Sequence, residues 1–217
     1  MRTRKRGSDS SGSDPAIVTD PRIDSHTSGD PLRHWGMEQL EAGLAALPQA
    51  PRDQGRVALL VSRGEGGLRA TPGAARLTED QGLVGDNWSS ESDGDAETQL
   101  TAVEVRLAEI IANGQSLALF GDQLFLDLDL SQENLPTGSQ LRVGQAVLEV
   151  SPQPHNGCQK FRSRFGTAAL RFVQRPDLRH RNFRGIYLRV ITEGLVAVDD
   201  PVTVLRRGPR PDLRCDA

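Results

Sequence analysis

Aromatic residues are scarce. Six Phe, two Trp and one Tyr make up 4 % of the 217 residues, and hydrophobic residues as a whole reach only 36 %. Both values are lean for a globular chain, so part of it is expected to lie outside any core. Cysteine is nearly absent: Cys158 stands in the body of the chain and Cys215 close to its end. Two such residues exclude a disulfide framework and read as an intracellular, cytoplasmic protein. No apolar run approaches the roughly 20 residues of a membrane-spanning helix. The opening "MRTRKRGSDSSGSD" has a basic cluster with no apolar segment behind it, which is not a secretory signal. A net charge of -3 is too small to argue for nucleic acid or a membrane as partner. Also missing are the glycine-rich nucleotide loops, a G-x-S-x-G elbow and a second Cys/His pair that would complete a four-ligand zinc set.

What is present falls into four stretches. Residues 1–34 are rich in Ser, Asp, Gly, Pro and Arg and read as a disordered tail. Residues 35–54 hold a short amphipathic helix and a linker, with Met37, Leu40, Leu44 and Leu47 on one helical face and Pro48 ending it. Residues 55–207 form the folded body, and residues 208–217 a frayed tail. Within the body, "RVALLVSR", "LRV", "AVLEV", "GIYLRVITEG", "LVAV" and "PVTVLRR" read as short strands. "FGDQLFLDLDL" alternates as a half-buried strand, with Leu124, Leu126, Leu128 and Leu130 on one face. A helix follows Val103 and stops at Asn113-Gly114. "GTAALRFVQ" reads as one or two helical turns. Many short strands with few helices make a mainly β barrel or closed sandwich.

The chemistry concentrates in "QPHNGCQKFRSRFG". From His155 to Arg189 the chain carries nine Lys and Arg residues and one acid, Asp177. So one-sided a segment needs an anion, or acidic stretches such as "SSESDGDAE" and "DLDL", to neutralise it. Pro154 and Gly157 put Cys158 in a turn. There, beside His155, Lys160 and Arg162, the surroundings favour a thiolate, the nucleophilic and metal-binding form. A lone cysteine is also an ordinary small apolar residue, and both readings stand on these grounds. His155 and Cys158 form an H-x-x-C pair, so His155 can serve as base, as ligand or as a shaper of the turn. His26 and His34 fall in or near the tail, and His180 in an exposed basic loop. Gly85-Asp86 and Asn134 read as turn residues, and Trp88 as a core or rim aromatic.

Four pieces in order, "GLVGDNW", "ENLPTG" with "LRVGQAVLEV", "PHNGCQKFRSRFG" and "RGIYLRVITEGLVAVDDPVTV", resemble the MOSC domain family, named for the C-terminal domain of molybdenum cofactor sulfurase. The resemblance spans roughly residues 56–205 and looks most like the small bacterial stand-alone members. It implies a β-barrel with a few inserted helices. It also implies that Cys158 is the functional cysteine, carrying sulfur as a persulfide or ligating molybdenum. Lys160, Arg164 and Arg184 are then the residues expected to hold the phosphate of the molybdenum cofactor (Mo-pterin). Asn134 matches an element that lies near the cysteine. The resemblance further implies a small-molecule substrate or cofactor, and a sulfur donor or electron-transfer protein as partner. The activity would be sulfur transfer or reduction of N-hydroxylated compounds. Asp199-Asp200 departs from the family's Gly-Asp. Neither an extra barrel domain nor an aminotransferase-like domain is expected, and pyridoxal phosphate, which belongs to the latter, has no evident site. Two alternatives are an anion-binding module with a basic face and a metal-independent thiol enzyme using His155 and Cys158.

Overall fold

The computed structural model describes residues 18–20, 23–24 and 26–209. In chain order the strands are β1 Val18–Asp20, β2 Gln54–Leu60, β3 Ser62–Arg63, β4 Arg69–Thr71, β5 Ala74–Thr78, β6 Gly82–Leu83, β7 Leu100–Glu104, β8 Leu124–Asp127, β9 Gln140–Val143, β10 Ala146–Val150, β11 Ile186–Thr192, β12 Gly194–Ala197 and β13 Pro201–Arg206. The α-helices are α1 Met37–Ala46, α2 Trp88–Glu91, α3 Val105–Ala112 and α4 Gln159–Val173.

Seven strands close a barrel in the order β10-β11-β7-β8-β2-β13-β9. Its interior is aliphatic: Val57, Leu60, Leu100, Leu124, Leu126, Leu141, Val143, Leu148, Leu188 and Val202 are all fully buried. The pairings are antiparallel except β7 with β8, which is parallel. A parallel pair cannot be joined by a tight turn, and α3 with the 3-10 turn Leu117–Phe120 forms the crossover between them. That crossover covers the outside of β7 and β8 and creates a second core. Leu107, Ile111, Phe120, Phe125, Phe161, Phe165, Phe172 and Leu40 meet there. Strand β8 is therefore buried on both faces, with Leu124 and Leu126 inside the barrel and Phe125 in the outer core. The expected half-buried strand is corrected by the layer of helices on its other side.

The one or two turns expected after Gly166 are present at 167–173, and α4 adds a helical stretch before them at 159–165, joined across Gly166. Phe161, Phe165, Ala169, Phe172 and Val173 bury one face, a helical repeat hidden among charged neighbours. At Gly166 the backbone takes φ 90°, ψ 166°, kinking the helix. An added Cβ there would lie 3.0 Å from the His34 ring.

Described residues of the N-terminal stretch, expected as a tail, make contacts with the folded body. Strand β1 pairs with β4, Ile23 is buried in the outer core, and Asp30 caps the turn Pro31–Arg33. Residues 1–17, 21–22 and 25 lie outside the described residues, as do 210–217 with Cys215. At the other end Gly208 still donates to Ser139 Oγ at 2.9 Å. Among the described residues no helix is long and apolar enough to cross a membrane.

Candidate functional site

Cys158 is the N-cap residue of α4, with extended backbone (φ -121°, ψ 179°) and a side chain that caps nothing. It is a free, exposed thiol. Gln174, at the far end of α4, donates to Gly157 O at 3.0 Å and ties the preceding loop to the helix. The sulfur opens into a cleft of about 330 Å³ between the barrel end, α2 and α4.

Arginines dominate the walls. Arg63 makes two parallel bonds to Asp86, at 2.9 and 2.6 Å. Asp86 also accepts from the main chain of Arg63 and Trp88 and from Gln123. Arg184 donates to Asp122 Oδ2 at 2.6 Å, its guanidinium lying 5.0 Å over the Phe161 ring. Arg164 is 3 % exposed and is gripped by carbonyls, among them Leu119 O at 2.8 Å and Thr27 O at 3.3 Å. Burial lowers its pKa, while negative charge on Cys158 would raise it. Arg69 is 6 % exposed. Its guanidinium donates to Gly67 O, and it makes no carboxylate ion pair among the described residues. Burial, then the charges of Arg164 and Arg63, push its pKa down to about 10. It stays cationic at neutral pH, crowded by other cations.

His155 sits at the floor, its side chain 8 % exposed and its Nδ1 3.6 Å from Asp122 Oδ1. Burial, and then the positive charge of Arg184, push its pKa down to about 3, with Asp122 opposing. The ring is neutral at physiological pH, so the contact with Asp122 is not an ion pair. His155 also packs against Tyr187, ring centres 4.7 Å apart. Burial raises the Tyr187 pKa, leaving its phenol protonated.

Of the residues singled out in the sequence, the cleft brings together Cys158, His155, Lys160, Arg164 and Arg184. It does not include Asn134, which is a correction. That side chain is fully buried at the other end of the barrel strands, donating to Arg52 O and Asp129 O and accepting from Arg207 at 2.9 Å. Each polar atom is engaged in joining three loops. Asn134→Ala is accordingly expected to lower stability by about 1–3 kcal/mol and leave the alkylation rate of Cys158 unchanged. Urea denaturation and thiol labelling check the two halves.

Several arginines of the basic run are neutralised internally. Arg189 pairs with Glu97 and Glu149, and Arg175 with Asp177 and Glu41. The residues that sequence reasoning missed are Arg63, Arg69, Asp86, Asp122 and Tyr187. Both aspartates stand in Gly-Asp pairs, a turn signal that conceals a buried carboxylate.

Five cationic residues and two carboxylates, Glu91 and Asp122, line the cleft. Arg69 Nε and Trp88 Nε1 are buried without a hydrogen-bond partner among the described residues. Among the described residues no three His, Cys, Asp or Glu side chains converge to hold a metal. The arrangement suits an anion, and a metal only if it brings its own ligands and needs one thiolate. A molybdenum-pterin group with a phosphate fits that donor set.

Residues 96–203 match the family model of the MOSC domain. Among solved structures the chain is similar to YiiM from Escherichia coli, at 25 % identity and a TM-score of 0.50, over 70 % of this chain and 71 % of that one. The YuaD protein from Bacillus subtilis is similar at 16 % identity and a TM-score of 0.49, over 71 % of this chain and 97 % of that one. No curated protein matches the chain.

Proposed function

The chain belongs to the MOSC domain family, and from that premise we propose that its cleft binds the molybdenum cofactor through the Cys158 thiolate and the surrounding arginines. The observation that carries this reading is that one cleft is lined by an exposed thiol and by Arg69, a buried cation with no carboxylate ion pair among the described residues. A thiolate is a soft ligand that suits such a metal, and arginine forks suit phosphate oxygens. When bound, the cofactor would supply two-electron reduction of N-hydroxylated compounds. Arg69, Arg164 and Lys160 would hold the anionic part. Asp122 and Asp86 would fix Arg184 and Arg63. The protonated phenol of Tyr187 can donate a hydrogen bond at the wall.

Sulfur carriage is a second reading, favoured by the exposure of Cys158. A donor persulfide R–S–SH and the Cys158 thiol would exchange to Cys158–S–SH and R–SH, with no net redox change. The metal-independent Cys/His enzyme is disfavoured. An imidazole whose conjugate acid has a pKa of about 3 is a poor acceptor for a thiol proton near pH 7.

The test is the molybdenum, pterin and intact-mass content of protein purified from a host that makes the cofactor. Stoichiometric molybdenum and pterin that vanish in Cys158→Ser support the first reading. One added sulfur atom on Cys158 without molybdenum supports the second. Protein with neither, under matched loading, would leave only an anion-binding module and sink both.

A further inference from the structure

We infer that the described residues among 18–34 (18–20, 23–24 and 26–34) are a working part of the cleft, a clasp that sets the position of two of its three buried cations, Arg164 and Arg69. The inference rests on the anion-binding reading of the cleft and adds to it the element that assembles the site.

The clasp touches both arginines through main-chain groups. On the β4 side, Asp20 pairs with Arg69 in the strand register, and the N–H of Arg69 donates to Ile23 O at 2.8 Å. On the α4 side, the Arg164 guanidinium donates to Thr27 O at 3.3 Å and to Asp24 O at 3.4 Å. The carbonyl of Arg164 is held as well. His34 Nε2 lies 3.1 Å from it, and Gln115 Nε2 donates to it at 3.2 Å. Gln115 then reaches back to the clasp, accepting from the N–H of Asp30 at 2.7 Å. Gly29 donates to Ser163 O at 3.2 Å. An added Cβ at Gly29 would stand 1.7 Å from Arg164 O, closer than any two such atoms approach. The clasp therefore needs glycine at the point where it crosses the helix. Carbonyl oxygens at Thr27, Asp24 and Leu119 aim the Arg164 guanidinium, so the clasp helps to fix where its charge sits in the wall of the cleft. Without the clasp it would keep Leu119 O and lose the acceptors at Thr27 and Asp24, which loosens the aim of a buried cation.

The clasp is thus a positioning element, and its effect is read as charge selectivity at Cys158. The experiment uses the full chain in a Cys215→Ala background and compares alkylation of Cys158 by iodoacetate, an anion, with alkylation by neutral iodoacetamide. The ratio of the two rates reports positive potential at the sulfur and cancels changes in exposure. Arg164→Ala is expected to lower the ratio about threefold to fivefold, the effect of one charge at cleft distances in a partly screened setting. Gly29→Ala, which the geometry forces off Arg164, is expected to lower it by a similar factor. The pair combined should fall no further than Arg164→Ala alone. Gln115→Ala removes two hydrogen bonds with no clash and gives a smaller drop in the same direction, which keeps the test open should Gly29→Ala fold poorly. If Arg164→Ala lowers the ratio while folded Gly29→Ala and Gln115→Ala leave it at the wild-type value, the clasp role is wrong and the anion site stands. If none of the three changes the ratio, both the clasp and the anion reading are overturned.

Discussion

Asp122→Ala is expected to lower the unfolding free energy by about 3–5 kcal/mol, the range for removing one partner of a buried ion pair. Asp122 is 1 % exposed and is the carboxylate partner of Arg184, itself 7 % exposed. The loss would not be a missing attraction alone. Among the described residues Arg184 Nε has no hydrogen-bond partner and Asp122 is the only carboxylate that accepts from the guanidinium, so without Asp122 Oδ2 a buried cation would lose that acceptor while resting on the Phe161 ring. Asp122→Asn keeps an acceptor oxygen for Arg184 and should cost less. Asp122→Leu combined with Arg184→Leu removes both charges and should recover much of the loss, while lowering the affinity of the cleft for anions. Urea denaturation reads these as shifts of the midpoint at constant slope. A loss below about 1 kcal/mol for Asp122→Ala would mean that water reaches Arg184 and that the pair is not a closed one.

That aspartate also marks where sequence stopped being informative. The strands and the α3 stop at Asn113-Gly114 announce themselves through alternation and turn chemistry, which are local. Barrel closure is not local: nothing in "LTAVE" or "LFLD" tells that β7 and β8 run parallel, since that depends on where the crossover lands. The site divides the same way. Cys158, His155, Lys160 and Arg164 share one stretch of chain, so composition alone draws attention to them. Arg63, Arg69, Asp86 and Asp122 come from elements far apart in sequence and meet only because α4 and the crossover pack on the barrel end. Asp86 and Asp122 each follow a glycine, as a turn residue would, and nothing local tells a solvated turn carboxylate from one sealed beneath an arginine. Asn134 fails in the opposite direction. A family element pointed to it as a neighbour of the cysteine, whereas its amide is fully used in holding Arg52, Asp129 and Arg207 together.

His155 should make the fold acid-sensitive well above the range where carboxylates protonate. Its pKa is about 3 in the native protein and about 6.5 in an unfolded chain. Below 6.5 the unfolded chain takes up a proton that the native ring refuses, so stability falls as pH drops and is restored as pH rises through the same window. At 1.36 kcal/mol per unit, the loss is about 2 kcal/mol by pH 5 and approaches about 5 kcal/mol near pH 3. Three charged side chains act on the ring: Arg184 and Arg63 oppose protonation and Asp122 favours it. Burial is the largest influence, so an apolar replacement is the cleanest test. In His155→Leu the difference in unfolding free energy between pH 7 and pH 5 should shrink by about 2 kcal/mol relative to wild type. The ring protons of His155 should show no inflection between pH 5 and pH 8 in an NMR titration. An inflection near 6.5 would mean an open, hydrated ring and would restore His155 as a base for Cys158. A silent ring has the opposite consequence for function. The positive potential of the cleft is then set by arginines that hold their charge across the physiological range. Any pH dependence of Cys158 chemistry between 6 and 8 must come from the sulfur or from its reaction partner, and not from His155.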